Sequence, residues 1–232
     1  MLLPVSVLAQ DLRVLSGGAA KSLVDPLAAS FPGGKVAVQY QPMGKLTESL
    51  AQGAKVDLVV VTEEVLPRLE REGRVKRGAK PIARVGIGVA VNDKAPVPDI
   101  STVEAFKQTL LAAKSIVYID PKVGTSGKHV AEVLNRLGIS QEIEKKARLG
   151  QGGYIVEPVG RGEIELGIHQ ISEILPVKGV KLAGELPREL QKYTVYVAVP
   201  LTESRPVLEL IDHLTGPEAR KRLAQAGYTA PE

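Results

Sequence analysis

The sequence has no cysteine and no tryptophan, and aromatic residues make up only 3% of its 232 positions. Without cysteine there are no disulfides, no thiolate metal ligands and no cysteine nucleophile, although the compartment stays open. Few aromatics leave Val, Leu, Ile and Ala to fill the core. Histidine occurs three times, never as H-x-x-H or H-E-x-x-H, so no classical zinc motif exists and neither a metal nor a cofactor is expected. G-x-G-x-x-G, a complete Walker loop and G-x-S-x-G are also missing, which removes the nucleotide and serine-hydrolase signatures. The net charge is +4, but Lys and Arg alternate with Glu, and no basic run is interleaved with aromatics. Nucleic acid is therefore not an expected partner. No apolar stretch is long enough to span a bilayer.

What is there is a repeated junction. Twice a short apolar strand runs into a loop of Ser, Thr and Gly and then a helix. Leu12-Arg13-Val14-Leu15 leads into Ser16-Gly17-Gly18-Ala19, and Ile116-Val117-Tyr118-Ile119 leads into Asp120 to Gly127, which contains Gly124-Thr125-Ser126. Unpaired N–H groups at a helix start, beside small hydroxyl side chains, suit an anion. Gln41-Pro42-Met43-Gly44-Lys45 and Gly150-Gln151-Gly152-Gly153-Tyr154 are openings of the same type. Lys21, Lys45, Lys128 and His129 are the nearby cations. The strand–loop–helix junctions point to binding, with no catalytic residue assigned.

Periodicity alternates between strand and helix along the chain, the pattern of α/β layers with largely parallel sheets. Helices are expected over 22–31, 46–51, 63–72, 102–113, 126–137, 154–161, 205–215 and 216–226. Ser101 with Glu104 reads as a capping box. Residues 142–148 fit either a short strand or a helix. Asp57, inside the apolar run 56–61, is expected to cap neighbouring backbone N–H groups. Ser126, His169 and Asp120 would be the members of a triad if the cleft were hydrolytic. Residues 1–9 read as the remnant of a secretory signal peptide or as a loose tail.

With these loops in order, the chain resembles the molybdate-binding proteins of bacterial ABC transporters, of the type II periplasmic solute-binding fold. The resemblance spans Leu12 to Tyr228. It rests on Val14 to Ala19, Ala51-Gln52-Gly53-Ala54-Lys55-Val56-Asp57-Leu58, Asp120-Pro121 with Thr125-Ser126-Gly127, Leu166-Gly167-Ile168, and Leu214-Thr215-Gly216-Pro217-Glu218-Ala219. It implies an α/β fold of two lobes, each a mostly parallel sheet flanked by helices. Residues 10–88 plus 196–232 would form one lobe and 89–195 the other, with crossings near Gly88 and Val195.

The same resemblance implies an extracytoplasmic, monomeric receptor that holds a molybdate- or tungstate-like oxyanion between the lobes and delivers it to a membrane permease. The implied contacts are Ser16, Gly17, Met43 and Gly44 on one side, and Ser126, Gly152, Gly153 and Gln170 on the other. Gly18, Lys45, Thr125 and His169 are further candidates. The implied lining consists of donors only, since a carboxylate would repel the ligand. The nearby cations and three departures also open the site to a larger or organic anion, such as a carboxylate or a phosphate- or sulfate-bearing solute: Pro42-Met43-Gly44 where hydroxyls are usual, His169-Gln170 where a tyrosine is usual, and Ser-Gly-Gly-Ala in the first loop. The alternatives are a receptor for a small organic carboxylate, a cytosolic ligand-sensing domain, and a hydrolase.

Overall fold

The computed structural model describes residues 11–75 and 78–231; the leader expected at 1–9 lies outside them. The strands are β1 (Leu12–Gly17), β2 (Val36–Gln41), β3 (Leu58–Thr62), β4 (Lys80–Val85), β5 (Ile87–Asn92), β6 (Ile116–Ile119), β7 (Ala147–Gly150), β8 (Leu166–Gln170), β9 (Val180–Glu185) and β10 (Thr194–Pro200). The helices are α1 (Lys21–Ala29), α2 (Met43–Ala51), α3 (Leu66–Arg71), α4 (Val103–Ala112), α5 (Thr125–Leu137), α6 (Ser140–Glu144), α7 (Glu157–Gly160), α8 (Ile171–Ile174), α9 (Arg205–Thr215) and α10 (Pro217–Arg222).

Two five-stranded sheets result, in the orders β2-β1-β3-β10-β4 and β7-β6-β8-β5-β9. Each is mixed: four of its five strands run one way and one runs against them, in keeping with the expected mostly parallel sheets. In the first, β1 is parallel to β2 and β3, while β10 is antiparallel to β3 and β4. In the second, β6 is parallel to β7 and β8, while β5 is antiparallel to β8 and β9. The connections explain the mixture. Gly86 alone separates β4 from β5, so the chain passes straight from one sheet into the other, and it returns through residues 186–193 into β10. A strand that enters a sheet from the other lobe runs against the strands built there by helical crossovers.

Burial follows the pattern of the sequence. Every residue of β3 is buried, as a central strand covered on both faces requires. One hydrophobic cluster holds the first sheet together, and two clusters cover the faces of the second. Helix α5 presents Val130, Val133 and Leu134 to the core at helical spacing. Asp57 does cap: its Oδ2 accepts the Arg13 N–H at 2.8 Å.

Three local expectations change. Helix α4 is capped by Thr102, whose hydroxyl accepts the Ala105 N–H at 3.1 Å. Ser101 instead donates its N–H and its hydroxyl to Asp99. The helix expected over 154–161 shrinks to α7, because Pro158 enters at its first turn and Gly162 leaves with φ +74°. Residues 142–148 split between the end of α6 and the start of β7.

Candidate ligand-binding cleft

The ends of β1 and β2 in one sheet and of β6, β7 and β8 in the other bring their following loops to one cavity of about 200 Å³. That is far above the roughly 10–15 Å³ that admits a single water. Carboxyl ends of parallel strands are where open α/β sheets gather ligands, because loops and helix N-termini converge there. The lobes meet around this cavity. The Gly44 N–H donates to Val123 O at 3.4 Å across the gap, and Ile171, in α8, packs into the first lobe's core. Beside it the Ser172 hydroxyl donates to Ala19 O at 2.8 Å.

The residues named from sequence divide in their placement. Gly17, Gly18 and Met43 line the cavity from the first lobe; Thr125, Ser126, Gly152, Gly153 and Gln170 line it from the second. Ser16 does not: it is fully buried, and its hydroxyl donates to Gly17 O at 3.1 Å. Gly44 spends its N–H on Val123, and Lys45 is exposed outside the cavity. His169 lies behind the wall with no exposure. His129 is held to Leu190 O at 2.6 Å by its Nε2.

Glycine is required at two wall positions. A Cβ on Gly17 would stand 2.8 Å from Met43 Cε and 2.9 Å from Tyr196 Cε1. Gly152 has φ +131°, and a Cβ there would meet Pro42 Cγ of the other lobe at 2.7 Å.

The start of α5 lines the cavity through Gly124, Thr125 and Ser126. Its N-cap, Gly124, supplies no side-chain bond, and Lys128 is the residue whose N–H returns to Gly124 O. The N–H groups of Thr125, Ser126 and Gly127 precede that bond and have no intrahelical acceptor. With the Thr125 and Ser126 hydroxyls they make a donor-rich corner. The other charged feature is Lys21. Its Nζ lies 5.5 Å from the Tyr40 ring centroid and 5.8 Å from that of Tyr154, so it bridges the lobes by cation–π contact. Among the described residues it has no carboxylate within ion-pair distance.

Sequence reasoning missed the aromatic walls and the acid. Tyr40 donates to Asp25 Oδ1 at 2.5 Å, and its hydroxyl pKa is raised far out of range by burial and by that carboxylate. Tyr196 donates to Gln170 Oε1 at 3.2 Å; burial, then the charge of Glu173, hold it neutral. Glu173 itself lines the cavity and is only 6% exposed, which corrects the expected donor-only lining. Its Oε2 is 3.0 Å from His169 Nε2, and His169 Nδ1 is 3.4 Å from Ser126 Oγ. Burial works to lower the His169 pKa, but Glu173 and the Gly153 carbonyl outweigh it and the net shift is upward.

Ser126 and His169 thus meet as in the hydrolytic arrangement, but the third group is Glu173. Asp120 accepts the Lys122 N–H and the Gln151 amide and stays with its own turn. The signal available in the sequence was the four-residue spacing of His169 and Glu173.

Comparison with known proteins fits this geometry. The sequence model described as bacterial extracellular solute-binding protein matches residues 12–229. An aconitate isomerase of Pseudomonas sp is 30% identical over 229 residues, covering 93% of this chain and 86% of that protein. The periplasmic molybdate-binding protein of Azotobacter vinelandii superposes with a TM-score of 0.79 at 18% identity, over 96% of this chain and all of that one. PEB3, known from Campylobacter jejuni, superposes in its L-phospholactate-bound form with a TM-score of 0.71 at 14% identity, over 95% of this chain and all of that one. The two structures share the two-lobed fold, and the family match spans both lobes and every wall of the cleft. This chain belongs to the bacterial extracellular solute-binding protein family.

Proposed function

We propose that this protein is an exported receptor that binds a small organic carboxylate in the interlobe cleft and delivers it to the permease of an ABC importer. The observation that carries this reading is the make-up of the walls. Tyr40, Met43, Ile119, Tyr154 and Tyr196 give the walls apolar surface beside the Thr125 and Ser126 donors and Lys21. A bare tetrahedral oxyanion has no apolar surface to lay against such walls, whereas the carbon skeleton of an organic acid has. One carboxylate would take the N–H and hydroxyl donors at α5, and a second would draw Lys21 away from its two rings. Gly17, Gly18, Gly152 and Gly153 would let the backbone close around the ligand, and Gln170 would orient it.

Two relatives favour the same class: PEB3 was captured with L-phospholactate, and the curated relative is named for aconitate. Molybdate and tungstate rank lower for this chain because the Ser16 hydroxyl turns away from the cavity and the Gly44 N–H is already spent.

A thermal-shift panel tests the proposal, since a ligand that binds only the folded state raises the melting temperature by mass action. The panel comprises cis- and trans-aconitate, tricarballylate, itaconate, glutarate, phosphate, sulfate, molybdate and tungstate. A di- or tricarboxylate is expected to give the largest shift. A shift with molybdate or tungstate alone would overturn the organic-acid reading in favour of an oxyanion receptor.

A further inference from the structure

Among the cavity-lining residues Glu173 alone carries a carboxylate. Its two oxygens have different surroundings. Oε2 lies 3.0 Å from Nε2 of His169, which is fully buried. That nitrogen also faces Gly153 O at 3.2 Å, so it stands between two acceptors and carries the proton. Oε1 has no such partner: among the described residues no donor hydrogen-bonds to it. The nearby tyrosines do not serve it, since Tyr40 gives its proton to Asp25 and Tyr196 gives its proton to Gln170. Nor is Oε1 sealed in protein, because Thr62 Oγ1 is the one enclosed side-chain polar atom without a partner among those residues. Oε1 therefore opens onto the cavity, beside Gly18 of the first lobe, where a Cβ would stand 3.3 Å away.

An acceptor in a closing cavity loses its water, which costs free energy unless the ligand brings a donor. Ionised carboxyl groups bring only acceptors, so the donor that matches Oε1 belongs to the carbon skeleton. Resting on the organic-carboxylate reading above, we infer that the ligand is a hydroxy acid and that Glu173 determines this specificity, its Oε1 accepting the ligand's hydroxyl proton. Two features favour a hydroxyl over an ammonium group. Burial works to lower the His169 pKa, but Glu173 and the Gly153 carbonyl outweigh it, so positive charge is already favoured behind the carboxylate. Lys21 supplies a cation to the same cavity and would repel a second one. His169 is a positioning residue: by holding Oε2 it fixes which oxygen is left for the ligand. A site built to bond a hydroxyl rejects the analogue that lacks it, because the buried acceptor is then left unpaired.

Pairs of acids that differ by one hydroxyl group test this by calorimetry on the full chain at neutral pH. The pairs are succinate and malate (both enantiomers), glutarate and 2-hydroxyglutarate, and tricarballylate and citrate; aspartate is added as the ammonium counterpart of malate. In the wild type at least one hydroxy acid is expected to bind about 10- to 100-fold more tightly than its partner, the range for a hydrogen bond to a charged group. Glu173→Met keeps the length of the side chain but offers no strong acceptor, and His169 retains Gly153 O. In that variant the two acids of a pair are expected to bind alike, with the hydroxyl-free acid at least as tight as before because a repulsive charge is gone. If Glu173→Met does not fold, Gly18→Ala crowds Oε1 with a Cβ 3.3 Å away at a position whose φ is not left-handed, and it should shrink the same ratio. Equal affinities within every pair in the wild type overturn the hydroxyl selection and leave the receptor reading standing. An undiminished ratio in a folded Glu173→Met or Gly18→Ala overturns the role of Glu173, and tighter binding of aspartate than of malate overturns the choice of a hydroxyl. Failure of every acid to bind overturns the receptor reading and this inference together.

Discussion

Gly152→Ala separates the closure of the lobes from their individual stability. Gly152 sits on the second lobe with φ +131°, and a new Cβ would lie 2.7 Å from Pro42 Cγ on the first. Relaxed carbon contacts lie at about 3.5–4.0 Å, so either the lobes separate slightly or the loop shifts. The backbone strain, about 1–3 kcal/mol for a side chain in a sparsely populated region, acts whether the cleft is open or closed and lowers the melting temperature of the free protein. The clash with Pro42 acts only when the lobes meet. Overpacking of this kind costs about 1–3 kcal/mol, which weakens ligand affinity by about 5- to 150-fold.

Calorimetry on the wild type, Gly152→Ala, Pro42→Ala and the double variant forms a cycle that isolates the contact. Pro42→Ala removes Cγ, so the double variant is expected to regain most of the lost affinity while keeping the lowered melting temperature. Wild-type affinity in Gly152→Ala would show that ligand binding does not require the lobes to approach at this point.

Further outcomes follow from single contacts. Ser126→Ala removes a cavity hydroxyl at the start of α5 and is expected to weaken carboxylate binding by about 1.5–3 kcal/mol, the range for a hydrogen bond to a charged group; unchanged affinity by calorimetry removes Ser126 from the site. His169 has a raised folded-state pKa owing to Glu173 and Gly153 in spite of its burial. Its contribution to stability is full below the unfolded value near 6.5 and is lost as pH rises through the folded value. Thermal melts should therefore show a decline as pH rises above about 6.5 that His169→Gln flattens, and an equal decline in both proteins would contradict the assignment. Asp57→Ala leaves the Arg13 N–H without its 2.8 Å partner. It should cost about 1 kcal/mol in urea unfolding without changing ligand affinity.

The architecture was legible in the sequence because alternating periodicity and the loop order both depend on local residues. Strand–loop–helix junctions at Gly17, Met43, Ser126 and Gly152 do converge on one cavity. The antiparallel insertions of β5 and β10 were not legible, since strand direction is set by where the chain crosses between sheets. Ser16 shows a second limit. Whether a hydroxyl faces the ligand or its own backbone depends on the packing of β1 against its neighbours, and here it bonds to Gly17 O.

The aromatic walls come from distant segments. Tyr40 lies next to the end of β2, whereas Tyr196 sits in β10, and only the fold brings them together. Glu173 was hidden differently. It reads as an ordinary helical acid until α8 docks on the first lobe and its carboxylate is caught between His169 and the cavity. A carboxylate about 5 Å from a bound anion repels it by about 3 kcal/mol at an effective dielectric of about 20. Lys21 and the donors of α5 would have to offset that repulsion.

An organic carboxylate held in the interlobe cleft by Lys21 and the start of α5 has a defined signature in a calorimetric titration of the wild type and Lys21→Met with tricarballylate, and of the wild type with molybdate. The expected result is one tricarballylate per chain, bound more tightly than molybdate and at least 10-fold more weakly by Lys21→Met. Tight binding of molybdate with none of tricarballylate, or indifference of tricarballylate binding to Lys21→Met, would contradict it.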